Sequence, residues 1–392
     1  MKNNWQTKKL SETCDFYNGL WKGKEPPYIN IGVIRNTNIT KDGRLDDSDV
    51  AYLDVEKKQF ANRKLMYGDI VLEKSGGGPK QPVGRVIIFN KKDGEFSFSN
   101  FTSVIRIKDQ SELDFNFLHK FLFYSYISGI TERMQSHSTG IRNLNMQAYK
   151  DIEAPLPSFS EQTRIVKKLD EVFGKVAKAK ENTEKNLQNS KELFESYLQS
   201  VFANPGKDWE ENTLDEVCKY DKTPYKKTNL PYVGLEDIES NTGKFLGSLN
   251  PLKVKSNTFH FSGEHVLYGR LRPYLNKVLL PNFEGHCSTE IFPIKPNKNL
   301  YRNFLFYWLI SKETVKQINA TWTGARMPRA NMNLVLDFVI PMPNISEQKS
   351  IVIKLDALSA ETKKLEVIYK QKLADLEEMK KSVLRKAFAG EL

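Results

Sequence analysis

The chain has 392 residues, enough for two or more domains, because a single hydrophobic core rarely serves more than about 250 to 300 residues. Lysine and arginine outnumber aspartate and glutamate by 59 to 48, and the formal charge of +11 suits an anionic partner such as nucleic acid or a membrane surface. The N-terminus lacks the apolar stretch of a secretory signal, and the longest apolar run is far shorter than the about 20 residues of a membrane span. These features predict a soluble, cytoplasmic protein. The charge alone does not distinguish a nucleic-acid-binding protein from a merely basic one.

Residues 5–157 have the pattern of a small mixed α/β domain. Residues 68–89, "GDIVLEKSGGGPKQPVGRVIIF", predict a short strand, a glycine-rich loop and a second strand. The aromatic stretch from Phe115 predicts a buried helix, and "STGIRNLN" at residues 138–145 predicts a second polar loop. Glycine allows close approach of the backbone to a phosphate, arginine can bind guanine, and Asn or Gln can bind adenine. The candidate DNA-binding residues here are Lys74, Ser75, Lys80, Gln81, Arg85, Thr139, Arg142 and Asn143.

A junction between strand and helix follows at residues 155–170, "PLPSFSEQTRIVKKLD", and it recurs at residues 341–356 as "PMPNISEQKSIVIKLD". Over the 20 residues that end at Asp170 and Asp356, 11 positions are identical at a constant offset of 186. Both copies have the spacing of a helix capping box, Ser158 with Glu161 and Asn344 with Glu347. The repeat therefore predicts two long helices that begin in the same way.

The chain before each junction also repeats. "WQTKKLSETC" at residues 5–14 matches "WEENTLDEVC" at residues 209–218 with an offset of 204, so the first copy carries a net 18 extra residues between its two anchors. Fixed ends around a middle of variable length indicate one frame with different inserts. The predicted division is a first domain at 1–157, a helix at 158–204, a second domain at 205–343 and a helix at 344–392.

The second domain carries loops in the places that match those of the first. "GEHVLYGRLRPYLNKVLL" again predicts strand, loop and strand, and "WTGARMPRANMN" repeats the T-G-x-R element of the first half. Each charge taken singly is better explained as a solvated surface residue, whereas paired loops in matching places favour DNA contact for the group. The candidate DNA-binding residues of this half are Arg270, Arg272, Tyr274, Lys277, Thr323, Arg326 and Arg329.

Both predicted helices carry apolar residues at alternating intervals of three and four, the period of a coiled coil. Two such helices in one chain most simply pack on each other, although each could instead fold onto its own domain. The predicted core positions are Ile165, Leu169, Val172, Val176, Leu193, Tyr197, Ile351, Leu355, Leu358, Leu365, Leu376, Met379 and Val383.

The sequence lacks a catalytic constellation. No G-x-x-x-x-G-K-[ST] phosphate loop occurs, and the five histidines are scattered. Asp69, Glu73 and Lys74 loosely resemble an acidic nuclease cluster, but the second half has no matching set. We therefore expect no catalytic residues and no metal site in this chain.

The whole chain resembles the specificity subunits of type I restriction-modification systems (the HsdS family). The resemblance is based on W-x4-L at the start of each half, G-[DE]-x-V-L, T-G-x-R, the S-E-Q junction and the ending "LRKAFAGEL". It implies two α/β target-recognition domains and two long helices that pack as an antiparallel coiled coil and set the spacing of a split DNA target.

The same resemblance implies a non-catalytic subunit that binds double-stranded DNA, two modification (methyltransferase) subunits and restriction (translocase and nuclease) subunits. Cofactors would belong to the complex: S-adenosylmethionine for methylation of adenine, and ATP with Mg for restriction. Two alternatives stay open from the residues. The chain could be a stand-alone bipartite DNA-binding regulator, or an endonuclease or methyltransferase with its own active site.

Overall fold

The computed structural model describes residues 5–20, 25–78, 81–136, 140–226, 229–324 and 326–392. Its contacts divide the chain into two compact units. Unit 1 comprises Met1–Asn182 with Lys372–Leu392, and unit 2 comprises Thr183–Gln371. Each unit contains one small mixed α/β domain and parts of both long helices. The expected fold class is therefore confirmed, while the residue limits of the four predicted segments stay predictions.

Unit 1 builds its domain from twelve described strands and four short helices that precede the first long helix. The strands are β1 (Gln6–Lys9), β2 (Cys14–Asn18), β3 (Tyr28–Ile34), β4 (Ala51–Glu56), β5 (Ile70–Glu73), β6 (Ser75–Gly77), β7 (Val86–Ile88), β8 (Phe96–Phe98), β9 (Thr102–Ile107), β10 (Gln135–Ser136), β11 (Arg142–Leu144) and β12 (Glu153–Leu156). The helices are α1 (Leu10–Thr13), α2 (Lys57–Ala61), α3 (Phe115–Ile127) and α4 (Met146–Lys150).

The central sheet of unit 1 has the strand order β2-β9-β5-β7. All four residues of β5 are buried, as expected for a short apolar run covered on both faces. Helix α3 packs beside this sheet, and the Asp114 side chain caps it by accepting from the backbone N–H of Phe117. The aromatic residues of α3 therefore form core, as the sequence predicts.

Unit 2 has the following strands: β13 (Glu210–Thr213), β14 (Cys218–Tyr220), β15 (Pro224–Tyr225), β16 (Tyr232–Val233), β17 (Thr258–Phe261), β18 (Val266–Gly269), β19 (Val278–Leu279), β20 (Gly285–Ser288), β21 (Ile291–Pro296) and β22 (Val339–Met342). The first long helix, α5, spans Phe159–Ala203 and passes from unit 1 into unit 2. The short helices are α6 (Leu214–Val217), α7 (Arg302–Ile310), α8 (Lys312–Ala320) and α9 (Met332–Leu336), and the second long helix is α10 (Ile345–Phe388).

The two domains share a framework. The sheet β14-β21-β18-β19 of unit 2 has the strand order of the central sheet of unit 1, and β16 pairs with β20 in parallel as β3 pairs with β8. An ion pair recurs at matching places, Asp69 with Arg106 at 2.7 Å and Glu264 with Lys295 at 2.5 Å. The internal repeat in the sequence is therefore a repeat in the fold.

Pairing between the ends of each domain explains why the two sequence anchors are kept. Strand β1, just after Trp5, pairs antiparallel with β12, just before the first long helix. Strand β13, just after Trp209, pairs in the same way with β22, just before the second. The start of each domain and its junction with the helix are thus neighbours in space. Both must keep their residues in register, whereas the chain between them is free to change in length.

Helix packing joins opposite ends of the two long helices within each unit. In unit 1 the N-terminal half of α5 lies with the C-terminal end of α10, and Lys180 forms an ion pair with Glu377 at 2.8 Å. In unit 2 the C-terminal half of α5 lies with the N-terminal part of α10. The helices therefore run antiparallel, as expected.

Most of the predicted coiled-coil positions are covered. Four are buried, namely Ile165, Leu169, Val176 and Leu355. Seven are partly buried, namely Val172, Tyr197, Ile351, Leu358, Leu365, Leu376 and Val383.

Leu193 and Met379 are corrections to the predicted core, because they are 53% and 49% exposed. These residues occupy matching positions of the repeat, on α5 and α10. Near its C-terminus each long helix turns its buried face toward a domain core, so that Leu198 and Leu384 are buried instead. Phe388 continues this contact by packing edge-to-face against Phe117 of α3. The heptad pattern predicts which residues face a partner helix. It does not show where the end of a helix packs on a domain core instead.

The predicted capping boxes form only in part. Asn344 Oδ1 accepts from the backbone N–H of Glu347 at 3.0 Å, as in a capping box. In the first copy the Ser158 hydroxyl lies against the hydroxyl of Ser160, and the Glu161 carboxylate binds Arg164. The starts of the two long helices therefore share one structure but differ in their side-chain hydrogen bonds. Among the described residues, no helix is long and apolar enough to cross a lipid bilayer.

Candidate nucleic-acid interface

A small sheet brings the two predicted loops of unit 1 together. Strand β11, from the T-G-x-R loop, pairs with β6, from the glycine-rich loop, and β10 completes the sheet β10-β11-β6. In this register Asn143 lies opposite Ser75, and Arg142 lies opposite Gly77. The structure therefore places Ser75, Arg142 and Asn143 on one sheet, with Lys74 immediately before β6. We call this sheet with Lys74 the unit 1 loop surface.

Hydrogen bonds orient the polar groups of the unit 1 loop surface. The Ser75 hydroxyl donates to Asn143 Oδ1 at 2.5 Å, and Lys74 Nζ donates to Asn18 Oδ1 at 2.7 Å. Burial lowers the pKa of Lys74, while its partner is a neutral amide that leaves the ammonium charge uncompensated. Arg142, in contrast, forms an ion pair with Glu132 at 3.1 Å. Lys74 is thus a half-buried cation with a fixed position that an incoming phosphate or base edge can use.

Arg85 corrects the predicted set for unit 1. Its side chain is 9% exposed, and its Nε and Nη2 atoms donate to both carboxylate oxygens of Glu73 at 2.7 Å. The same guanidinium also donates to the carbonyl oxygens of Ile39 and Asn36. These bonds use four of the five N–H donors of a buried guanidinium, so Arg85 holds the interior together and is not accessible to DNA.

The remaining predicted residues of unit 1 are close to that pair or lie outside the described ranges. The Gln81 amide lies against the guanidinium of Arg85, and assigning its oxygen to that side lets it accept from Nη2 at 2.8 Å; the backbone of Gln81 pairs with Gly78. Gln81 therefore links the loop to the buried pair. Lys80 and Thr139 lie outside the residues that the structure describes.

The acidic residues that loosely resemble a nuclease cluster have structural partners. Asp69 is 2% exposed and is bound by Arg106, while Glu73, 1% exposed, is bound by Arg85. Within the described ranges, no group of three or more His, Cys, Asp or Glu side chains is arranged to hold a metal ion. These two carboxylates are therefore explained by buried ion pairs.

Unit 2 joins its two predicted loops by backbone hydrogen bonds. The Arg272 N–H donates to the carbonyl of Pro328 at 2.7 Å, and the Ala330 N–H donates to the carbonyl of Arg270 at 2.9 Å. Leu271 and Arg329 form a β-bridge between the same loops. As in unit 1, the T-G-x-R loop and the basic loop become one surface, which we call the unit 2 loop surface (residues 270–277, 322–324 and 326–329).

The Glu290 carboxylate joins the two loops of unit 2, because it pairs with an arginine of each. It accepts from Arg270 Nε at 3.0 Å and from Arg329 Nη2 at 2.9 Å. Burial would raise the pKa of this carboxyl, but the hydrogen bonds from Arg329 and Arg270 outweigh it and lower the pKa. Lys277 is also occupied, because its Nζ donates to the carbonyl of Leu235 at 2.6 Å. All three cations have partners within unit 2 that hold the loops together. Their contact with DNA stays a prediction.

The other predicted residues of unit 2 are exposed. Within the described part of the chain, the guanidinium groups of Arg272 and Arg326 have no hydrogen-bond or ion-pair partner. Arg272 adopts a left-handed backbone with φ of 52° at the start of the turn that carries Tyr274. Thr323 exchanges two backbone hydrogen bonds with Arg329, both 3.0 Å long, which close the second loop. Arg272, Tyr274, Thr323 and Arg326 therefore form the accessible part of this surface.

Two exposed residues of the unit 2 loop surface were not among the predicted ones. Trp322 and Met327 are 52% and 47% exposed, and the Trp322 ring packs edge-to-face with Tyr274 at 6.4 Å. Both lie in "WTGARMPR". The sequence prediction selected charged and amide side chains, so it missed these two residues. An exposed tryptophan in a basic loop is nevertheless itself a signal of binding.

Comparisons with known proteins agree with this arrangement. A family model described as the type I restriction modification DNA specificity domain matches residues 2–188 and again residues 206–376. The specificity subunit of the Escherichia coli type I restriction enzyme EcoDI is 27% identical over 345 residues, which are 76% of each protein. That of the StySPI enzyme from Salmonella potsdam is 22% identical and covers 100% of this chain and 90% of its own length.

Two solved structures share the fold. One, described as the structural basis of complex assembly and conformational transition of the type I R-M system, superposes with a TM-score of 0.79 at 18% identity over 100% of both chains. The HsdS subunit from Thermoanaerobacter tengcongensis gives a TM-score of 0.63 at 19% identity over 99% of this chain and 97% of that one. The family match covers both halves of the chain. The protein therefore belongs to the type I restriction-modification DNA specificity family.

Proposed function

We propose that each unit reads one half of a bipartite, asymmetric DNA target, and that the long helices set the gap between the half-sites. The observation that carries this proposal is the pairing of loops: in both units the T-G-x-R loop is hydrogen-bonded to a basic loop, and the two together form one surface. Surfaces of this kind combine phosphate contacts with recognition of base edges in the major groove.

Differences between the two loop surfaces favour unlike half-sites. The unit 1 loop surface offers Lys74, Ser75 and Asn143, with amide and hydroxyl groups that suit adenine. The unit 2 loop surface offers two arginines, Arg272 and Arg326, which suit guanine, beside exposed aromatic rings. The target should therefore be asymmetric.

The partners of this chain in the proposed complex are two modification subunits, which methylate adenine with S-adenosylmethionine, and restriction subunits, which use ATP with Mg. These reactions would take place in the cytoplasm. Leu193 and Met379 support a pair of like partners, because both expose an apolar side chain at the same position of the repeat. One subunit type could bind both places, since the repeat presents the same position twice.

The test is the methylation pattern of the host genome with and without this chain. We expect one bipartite adenine-methylated motif to disappear when the chain is deleted and to return with the native gene. Lys74→Ala should change the bases accepted in one half of that motif only, and Arg272→Ala those in the other half. A pattern that is unaffected by deletion would contradict the proposal. Methyl transfer or cutting by the purified chain alone would instead indicate an enzyme.

A further inference from the structure

An apolar patch lies on the unit 2 loop surface. Tyr274, Trp322 and Met327 are 50%, 52% and 47% exposed, on two loops that are hydrogen-bonded to each other. Large apolar side chains grouped on a surface in this way indicate a binding site rather than scattered exposure. We call these three residues the apolar patch.

Backbone hydrogen bonds constrain the described residues beside the apolar patch. Thr323 and Arg329 exchange two of them, just after Trp322 and on either side of Met327. The neighbouring turn begins and ends with left-handed residues, Arg272 and Asn276, at φ values of 52° and 42°. Because non-glycine residues seldom adopt this conformation, both must be held there by the surrounding structure. These constraints on the described backbone reduce the conformational entropy that is lost when the patch binds.

The charges beside the patch indicate what it binds. Arg272 is two residues from Tyr274, and Arg326 is adjacent to Met327; both are exposed and lack a carboxylate partner within the described residues. An apolar protein partner would not need two uncompensated cations at this place. A nucleic acid would, because its phosphates and guanine edges bind arginine.

We propose that the apolar patch contacts the 5-methyl group of a thymine in the major groove of the second half-site, next to a base pair bound by Arg272 or Arg326. This inference rests on the proposed function and deepens it by naming a base. Thymine is the one base of unmodified DNA that presents a methyl group in the major groove, and apolar side chains recognise that group. The edge-to-face packing of Trp322 on Tyr274 holds the indole in place for such a contact.

The experiment removes only the methyl group. The full-length chain, in complex with its methyltransferase subunits, is titrated with duplexes that carry the motif found by methylation mapping. Each thymine of the second half-site is replaced in turn by uracil, and the dissociation constants of the thymine and uracil duplexes are compared. At one or two positions uracil should weaken binding about three- to tenfold, the range expected for loss of one buried methyl contact. Trp322→Ala or Met327→Ala should reduce that ratio to about one.

Two controls give the ratio its meaning. Arg272→Ala should weaken binding of thymine and uracil duplexes equally and keep the ratio, and uracil in the first half-site should behave alike in native and Trp322→Ala complexes. A ratio near one at every position of the native complex would overturn the inference, and so would a ratio that survives both patch variants. A ratio near one at every position would also fit an apolar side chain inserted in the minor groove, where thymine has no methyl group. If the motif binds no better than a scrambled duplex, the proposed function fails together with the inference.

Discussion

Gln162 and Gln348, the glutamines of the two S-E-Q junctions, occupy equivalent places and make equivalent hydrogen bonds. Gln162 Oε1 accepts from the backbone N–H of Asp114 at 2.9 Å. Its Nε2 donates to the carbonyl oxygens of Glu112 and Pro157 at 2.8 and 3.0 Å. The side chain is fully buried, so one amide joins the start of the long helix to the start of α3.

Gln348 repeats this arrangement in unit 2. Its Oε1 accepts from the N–H of Tyr301 at 2.7 Å, and its Nε2 donates to the carbonyls of Asn299 and Pro343, both at 2.9 Å. The glutamine of the repeated motif is therefore a clamp between domain and helix. Neither carboxylate nor alanine can replace it, because the site needs one acceptor and two donors.

Gln348→Ala should lower the free energy of unfolding by about 2 to 4 kcal/mol, since the partly buried Tyr301 N–H and Asn299 carbonyl and the buried Pro343 carbonyl all lose this partner. Chemical denaturation of the full chain measures the change. Gln188→Ala is the matched control on the exposed side of the same helix pair, and it should change stability by less than about 0.5 kcal/mol. Equal losses for the two variants would show that Gln348 is not a clamp.

The frame of this fold could be predicted from the sequence because its signals repeat. The Trp anchors and the S-E-Q junctions are in register, and the structure pairs β1 with β12 and β13 with β22 for that reason. The clamp itself was not predicted, because two of the three partners of Gln162, the backbone groups of Asp114 and Glu112, are about fifty residues away along the chain. A sequence motif shows that a residue is needed and does not show which atoms it binds.

Arg85→Ala should destabilise the chain by about 3 to 5 kcal/mol, because it leaves the Glu73 carboxylate buried without a partner. Combining it with Glu73→Leu should recover much of that loss, as removal of both charges also removes the desolvation cost. Lys74→Ala, one residue from Glu73, is the contrasting change and should weaken DNA binding with little effect on unfolding. Thermal or denaturant unfolding of the four chains tests this, and a destabilised Lys74→Ala with a stable Arg85→Ala would reverse the assignment.

Arg272→Ala should cost about 1 to 3 kcal/mol of DNA-binding free energy and relax the base preference at one position of the second half-site. The guanidinium is exposed and its removal breaks no described contact, so the melting temperature should stay unchanged. Binding of the complex to duplexes with single base changes in each half-site is the measurement. A uniform loss over all sequences, with a smaller salt dependence, would identify Arg272 as a phosphate contact instead.

The residues of the proposed DNA-binding surface were harder to predict than the frame, for a physical reason. In the sequence, Arg85, Arg270 and Arg329 look like Arg272 and Arg326. Their partners, Glu73 and Glu290, come from strands and turns that only folding brings near, so charge counts could not separate clamping arginines from free ones. The matching T-G-x-R elements predicted corresponding loops in the two halves, whereas the pairing of each T-G-x-R loop with the basic loop of its own unit is a finding of the structure.

Leu193→Asp and Met379→Asp should each reduce binding of the modification subunit at one position and leave the other intact. A charge at the centre of an apolar contact typically lowers affinity at least tenfold. Both side chains are about half exposed, so the free chain should keep its helix content. Native mass spectrometry should count one bound subunit for each single variant and none for the double variant. The control is Lys185→Asp, at an exposed position of α5, the helix that carries Leu193. This variant should still bind two modification subunits.

His119→Phe should make stability less dependent on pH between about 4 and 6.5. Burial, and next the charge of Lys120, lower the pKa of His119 from 6.5 to about 4. Below pH 6.5 the unfolded chain therefore binds a proton that the folded chain excludes. As the pH falls from 6.5 to 4, this proton uptake progressively lowers the free energy of unfolding, by up to about 3 kcal/mol in total. Above pH 6.5 neither state takes up the proton, and the full stability is present. In unit 2, Phe306 lies against Gly243 as His119 lies against Gly43, so phenylalanine fits this kind of site.

Denaturant unfolding of the native chain and His119→Phe at pH 7.5, 6.0 and 5.0 measures this contribution. At pH 7.5 the variant should be within about 1.5 kcal/mol of the native chain, since it exchanges one buried ring for another. At pH 5.0 the native chain should have lost part of its free energy of unfolding through His119, whereas the variant should not, so the difference between them should shift in favour of the variant. His260→Phe is the comparison, since His260 pairs with Glu284 in a partly exposed position. If the difference between native and His119→Phe stayed constant from pH 7.5 to 5.0, the buried ring would not be the group that takes up the proton on unfolding.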